Sequence, residues 1–145
     1  MEFSLLSAGW RDLNELRQLE QECFGKDAWP LWDLIGVLTF LGVVRLKAAA
    51  NDKMIGFIAG DVRSREGVGW ITTIGVTAVY RRQGVALALL AACEEAMGMP
   101  VIRMCVRRSN LGAQQLYHKA GYQPAGVWER YYSDREDALV LQKNR

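Results

Sequence analysis

Histidine is almost missing from this chain of 145 residues: His118 is the only one. Three cysteines, Cys23, Cys93 and Cys105, form no Cys-x-x-Cys pair. Together these shortages exclude a structural zinc set, so no metal is expected. An odd number of cysteines in apolar surroundings argues for packed free thiols, not a disulfide framework. An excess of either charge is missing too. Eighteen Lys and Arg oppose sixteen Asp and Glu, for a formal net charge of +2. So mild a balance, with no basic residues interleaved among aromatics, leaves no footprint for nucleic acid. The longest apolar run, Leu34 to Val44, is about half of the ~20 residues that cross a bilayer, and no membrane partner is expected. Met1-Glu2-Phe3-Ser4 has no basic stretch leading into an apolar one, so no signal peptide is read and a cytoplasmic setting is the expectation. Linkers, repeats and low-complexity tracts are absent as well. With half the residues hydrophobic, a single domain over 1–145 with a real core is expected.

The pattern along the chain alternates strand and helix signals. Phe3 to Ser7 reads as a short strand. Asp12-x-x-Glu15 has the form of a capping box, and Leu13, Leu16, Leu19, Cys23 and Phe24 follow at helical spacing. A second short helix follows Asp27, with Leu31, Leu34, Ile35 and Leu38 on one side. Val43 to Ala50, Met54 to Val62 and Val68 to Thr77 read as an antiparallel meander with turns at Asn51-Asp52 and Ser64 to Gly67. Arg82 to Gly98 reads as a helix, Val101 to Val106 as a strand and Leu111 to Ala120 as a helix stopped at Gly121. Tyr122 to Tyr132 and Ala138 to Lys143 are the last strands. The order β-α-α-β-β-β-α-β-α-β-β predicts an α/β (α+β) fold: a mixed, mainly antiparallel sheet of about seven strands flanked by four helices.

The most informative stretch is Ile71-Thr-Thr-Ile-Gly-Val-Thr-Ala-Val-Tyr-Arg-Arg-Gln-Gly-Val-Ala86. A strand runs out, a turn follows, and a helix opens through Arg81, Arg82, Gln83, Gly84, Val85 and Ala86. The first amides of a helix lack intrahelical partners, and the helix dipole favours an anion there. Gly84 permits close backbone approach, and two arginines add charge. This Arg-x-x-Gly-x-Ala pattern after Ile-x-Val resembles the pyrophosphate-binding motif of the GNAT superfamily of N-acetyltransferases, and the element order extends the resemblance over nearly the whole chain. The resemblance implies acetyl-CoA as co-substrate. It assigns the pyrophosphate to Arg81–Ala86 and the pantetheine arm to the backbone of Ile74, Gly75 and Val76. In the family the strand splays here around a bulge, and Gly75 in an apolar strand fits one.

Asn110-Leu-Gly-Ala-Gln-Gln-Leu-Tyr117-His-Lys-Ala-Gly-Tyr122 carries a second part of the resemblance. Asn110 is a good N-cap, and Ala113, Leu116, Tyr117 and Ala120 make one helical stripe. The matching GNAT segment implies that Asn110 contacts the cofactor and that Tyr117 protonates the departing CoA thiolate. A phenol with a pKa near ~10 carries its proton at neutral pH. His118 points about 100° away and reads as a surface residue.

Val106-Arg107-Arg108-Ser109-Asn110 and Tyr131-Tyr132-Ser-Asp134-Arg-Glu136-Asp137-Ala138 resemble the protein N-terminal acetyltransferases, including the ribosomal-protein-alanine type. That implies a protein or peptide N-terminus as acceptor, met by Tyr131 and Tyr132. Trp29, Trp32 and Phe40 read more simply as core, since aromatics at helical spacing usually are. One departure stands out. The glutamate that serves that type as general base, two residues before the arginine, is Cys105 here, a poor base in an apolar strand. Glu22 and Glu129 are the acidic candidates to replace it, and spacing assigns neither. Two rival readings stay open: a GNAT enzyme for a small amine such as a polyamine or amino-sugar, and a non-catalytic acyl-CoA sensor. Whether the chain acts as a monomer or homodimer is not written in the sequence.

Overall fold

The structure, a computed structural model, describes residues 2–145. Seven strands form one sheet in the order β1-β2-β3-β4-β5-β7-β6. They are β1 Ser4–Ser7, β2 Val43–Ala50, β3 Lys53–Arg63, β4 Val68–Val76, β5 Val101–Arg107, β6 Gln123–Trp128 and β7 Ala138–Asn144. The helices are α1 Leu13–Phe24, α2 Leu31–Thr39, α3 Val85–Met97 and α4 Leu111–Lys119. Among the described residues only β4 and β5 run parallel; α3 makes the crossover between them, as a parallel connection demands. The mixed, mainly antiparallel sheet flanked by four helices is the one expected.

Local chemistry explains most elements. α3 is built largely of Ala and Leu, strong helix formers, and stops where Gly98 turns left-handed at φ +62°. β3 is buried from Met54 to Gly60, because helices cover both of its faces and alternation has no meaning there. One core joins α3 and α4 to the sheet through Ile58, Leu89, Leu90, Ile102 and Met104. The other joins α1 and α2 to the opposite face through Leu16, Leu19, Leu34, Val37 and Phe57. Among the described residues, no helix is long and apolar enough to cross a membrane.

Three local expectations need correction. The capping box does not form. Asp12 instead accepts from Gly9 N at 2.9 Å and from Lys47 Nζ at 2.6 Å, and Glu15 accepts from Met54 N at 2.7 Å. Partners from neighbouring strands outcompete the local cap. The third helix opens at Val85, not Arg82, because Arg82 and Gly84 sit at φ +62° and +82°. The sixth strand ends at Trp128, so Tyr131 and Tyr132 lie in a loop. There Arg130 and Arg135 have positive φ, and Asp137 accepts from Arg130 N at 3.0 Å.

Candidate active site

The site begins where β4 loses a neighbour. β4 pairs with β5 only from Val68 to Ile71. Beyond that point β4 follows β3 up to Val76, while β5 follows β7 through Arg107. The bulge that parts them is at Thr72, not at Gly75 as the sequence suggested. Ala59 pairs with Thr73 and Gly60 with Ile71, leaving Thr72 over, with its hydroxyl donating to Ala59 O at 3.2 Å. An extra residue bends a strand away from its partner. Gly75 stays in register with Phe57 and is small for another reason: a Cβ there would lie 3.0 Å from Cys23 Sγ.

The splay exposes backbone. Thr77 N donates to Ile55 O, and antiparallel pairs alternate between bonded and non-bonded. Ile74 and Val76 therefore turn their N–H and C=O groups away from β3, into the gap. Val76 O accepts from Arg81 Nε at 2.9 Å on that side. A cleft of about 190 Å³ occupies the gap, and Ile71–Ile74, Met104–Arg107, Asn110, Tyr117 and Tyr132 are among its walls.

At the far end of β4, the turn into α3 presents a row of amides. Those of Gln83, Gly84, Val85 and Ala86 find no acceptor among the described residues; the first helical bond there is Ala88 N to Gly84 O. Gly84 is at φ +82°, and a Cβ on it would meet nothing within 4 Å. Glycine is required by the backbone angle, and the space before it is open. Unpaired amides, open space and the helix dipole suit a pyrophosphate. Arg81 does not add its side chain to this cradle. It folds back on β4, with Nη2 3.8 Å from Cys23 Sγ.

α4 brings Asn110 and Tyr117 to the cleft. Asn110 is the N-cap, its Oδ1 accepting from Ala113 N at 3.1 Å. Tyr117 is 8% exposed and stacks edge-on to Tyr122. Its hydroxyl makes no protein hydrogen bond, yet it is not sealed from solvent. Burial, with a smaller contribution from Tyr132, pushes its phenol up to about 12, so it stays protonated throughout the physiological range. His118 is exposed, as expected.

The opposite wall comes from distant parts of the chain. Arg107 donates to both carboxylate oxygens of Asp27 at 2.8 Å, to Asp134 at 3.0 Å and to Glu136 at 2.8 Å. It also lies 4.1 Å above the Tyr132 ring. One guanidinium thus ties the turn after α1, the end of β5 and the β6–β7 loop together. Tyr132 reaches the cleft, and burial pushes its phenol to about 12. Tyr131 does not; it is 55% exposed and stacks between Trp128 and Tyr132. Next to the cleft, sharing Trp29 and Thr72 with it, runs a groove of about 470 Å³ lined by Trp32, Asp33, Phe40 and Asp61. Trp32 is 80% and Phe40 66% exposed, so these aromatics are not the core stripe the spacing suggested.

Of the three free thiols, burial raises Cys93 to about 12 and Cys105 to about 11. Cys105 lines the cleft as a neutral thiol. Among the described residues no cluster of side chains could hold a metal ion.

This arrangement accompanies a match in sequence: the pattern of the acetyltransferase (GNAT) family fits residues 10–122. The chain belongs to that family. It is 28% identical over 140 residues to the N-terminal acetyltransferase A complex catalytic subunit NAA10 of Arabidopsis thaliana, covering 92% of this chain and 73% of that one. The crystal structure of the ribosomal-protein-S18-alanine N-acetyltransferase from Escherichia coli matches with a TM-score of 0.89 at 25% identity, over 99% and 94% of the two chains. Arabidopsis thaliana NAA60 in complex with acetyl-CoA matches at 0.86, with 18% identity over 99% and 98%, and so shares the fold. This acetyltransferase takes its acetyl group from acetyl-CoA, the co-substrate of GNAT enzymes, and the open cradle and splayed strand fit that molecule.

Neither acidic candidate for the base reaches the acetyltransferase's cleft. Glu22 accepts from Ala78 N at 2.8 Å, and Glu129 is exposed beyond β6. The residue that sequence reasoning missed is Glu20. It is 2% exposed on the inner face of α1, where its Oε1 accepts from Thr73 Oγ1 at 3.1 Å. The signal was available: a glutamate one turn after Leu16, on the apolar side of the helix.

Proposed function

We propose that this chain, acting as one domain over 1–145, acetylates the α-amine of a protein or peptide N-terminus, with Tyr117 protonating the CoA thiolate. The observation that carries the choice of acceptor is the groove through Trp29, Trp32 and Phe40. It continues the cleft outward and gives the residues after the first one a surface to lie on. A polyamine or amino-sugar has no need of it.

In this reading the amides of Arg82–Ala86 hold the pyrophosphate, with Arg81 bracing the strand end behind them. The backbone of Ile74 and Val76, turned into the gap, pairs with the pantetheine arm, while Gly75 between them stays bonded to β3, and the Val76 amide polarises the thioester carbonyl. Asn110 flanks the cofactor. Tyr132 contacts the incoming N-terminal residue, with Tyr131 further out. The amine attacks the carbonyl carbon, the C–S bond breaks, and the sulfur leaves with the electron pair and takes the Tyr117 proton. Burial raises the phenol, but a thiolate in the same cleft is raised in the same direction, so the transfer stays feasible. An α-amine suits such a site. Its pKa near ~8 against ~10.4 for lysine leaves a few hundred times more neutral amine at pH 7, worth ~3 kcal/mol. The setting that supplies both reactants is the cytoplasm, with the chain as monomer or homodimer.

Mass spectrometry after incubation with acetyl-CoA tests this on a free peptide, an N-blocked lysine peptide and a polyamine. The free peptide is acetylated fastest, at its N-terminus. Faster modification of the blocked peptide or the polyamine overturns the acceptor assignment.

A further inference from the structure

We infer that Glu20, acting through the hydroxyl of Thr73, accepts the proton that the amine loses when it attacks. The inference rests on the acetyl-transfer reading above and fills the position that Cys105 leaves without a base.

Geometry carries it. Glu20 is a buried carboxyl with one oxygen engaged by Thr73 and the other, Oε2, without a hydrogen-bond partner among the described residues. A buried acid left half-satisfied is costly, and a native fold that keeps one calls for a reason such as catalysis. The side chain that engages it carries a hydroxyl, which can pass a proton. Thr73 lines the cleft on β4, next to the bulge at Thr72 and before the exposed amide of Ile74. A hydroxyl donates one proton and accepts another. As the amine nitrogen bonds to the acetyl carbon, its proton passes to Thr73 Oγ1, directly or through one water, while the Thr73 proton moves to Glu20 Oε1. At the other side of the carbon, the thiolate takes its proton from Tyr117. The Glu20 proton then returns through the Thr73 hydroxyl and cleft water to the Tyr117 phenolate, and the cycle closes with no co-reactant beyond acetyl-CoA and the amine.

The surroundings set the working range. Burial raises Glu20 to about 7, against a smaller lowering by the Thr73 hydrogen bond, which is where a general base works best at neutral pH. On α1 itself, Cys23 is the titratable neighbour near enough to feel its charge, with Glu22 and Arg81 beyond it. β3 offers Phe57 and Ala59 to this face, α2 offers Leu34 and Val37, and β4 offers Thr73. Among the described residues no cation pairs with Glu20.

The experiment measures kcat and KM against pH for the parent and four variants, on the amine that the parent acetylates best. Parent turnover on peptide N-termini decides the acceptor; the ratio of variant to parent decides Glu20. In the parent, kcat rises with pH through about 7 as Glu20 loses its proton. Glu20→Gln lowers kcat by on the order of 10²-fold, leaves KM for acetyl-CoA within a few-fold and abolishes that inflection. Glu20→Asp restores part of the rate. Should Glu20→Gln fail to fold, the isosteric Thr73→Val gives the same loss, and Thr73→Ser restores most of the rate. A parent-like kcat and pH profile in Glu20→Gln, or in Thr73→Val, overturns the inference and leaves the acetyltransferase reading standing.

Discussion

The two halves of β4 obey different rules. From Val68 to Ile71 the strand has neighbours on both sides, and its backbone is spent on the sheet. From Thr72 to Val76 it keeps only β3, and the groups turned from β3 face a cleft. One bulged residue makes the difference. The lesson is that a sheet can turn its own backbone into a ligand by losing one strand pairing, with no special side chain required. What surrounds the released half is equally uneven. In the proposed function the cofactor side is made of consecutive residues at the start of α3. The acceptor side is assembled from α2 together with the turn after α1, the end of β5 and the β6–β7 loop, the last three joined by Arg107.

That contrast can be broken first at the cradle. Acetyl-CoA at 100 times its Kd stabilises the parent by ~2.7 kcal/mol, a rise in Tm of roughly 5–10 °C. Gly84→Glu puts a carboxylate in front of the open amides and strains a left-handed backbone angle. It loses that rise completely and with it all turnover, and differential scanning calorimetry reads the result. A normal shift in Gly84→Glu places the cradle elsewhere.

A smaller effect comes from Tyr117, which stands between the two sides. Tyr117→Phe keeps the affinity for acetyl-CoA within a few-fold, because its hydroxyl makes no hydrogen bond among the described residues that the fold would lose. Turnover falls on the order of 10²-fold. Free-thiol release under saturating substrate measures it, and unchanged turnover reduces Tyr117 to packing.

The smallest effect isolates the acceptor side. Trp32 is largely exposed, so Trp32→Ala leaves Tm and the acetyl-CoA affinity as they were. It raises KM for a peptide of several residues a few-fold, the ~1 kcal/mol that a partly buried aromatic contact is worth. A single amino-acid amide shows no such change. Equal KM for the peptide in both proteins removes the groove from the reading.

How much of this was legible before any coordinates follows from where each feature gets its energy. The strand-turn-helix around Gly84, the N-cap at Asn110 and the stripe that includes Tyr117 are short-range patterns, so the sequence announced them. The capping box at Asp12 and Glu15 looked equally clear and failed, because Lys47 and the amide of Met54 offered those carboxylates better partners from adjacent strands. The sixth strand was drawn too long for a related reason. Asp134, Glu136 and Asp137 bind Arg107, Arg108 and backbone amides and pull the chain off the ladder after Trp128.

The sequence by itself determined the order of elements, the fold class, the open turn at Gly84 and the place of Tyr117, since helix periodicity, glycine at positive φ and a capping asparagine act over a few residues. Only the tertiary structure decided that the bulge falls at Thr72, that Arg81 turns inward and that Trp32 and Phe40 line a groove instead of a core. It alone placed Glu20 against Thr73, residues 53 apart in the chain. Such outcomes depend on which surfaces meet across the sheet, and on competition among distant partners for the same polar group, which no local spacing records.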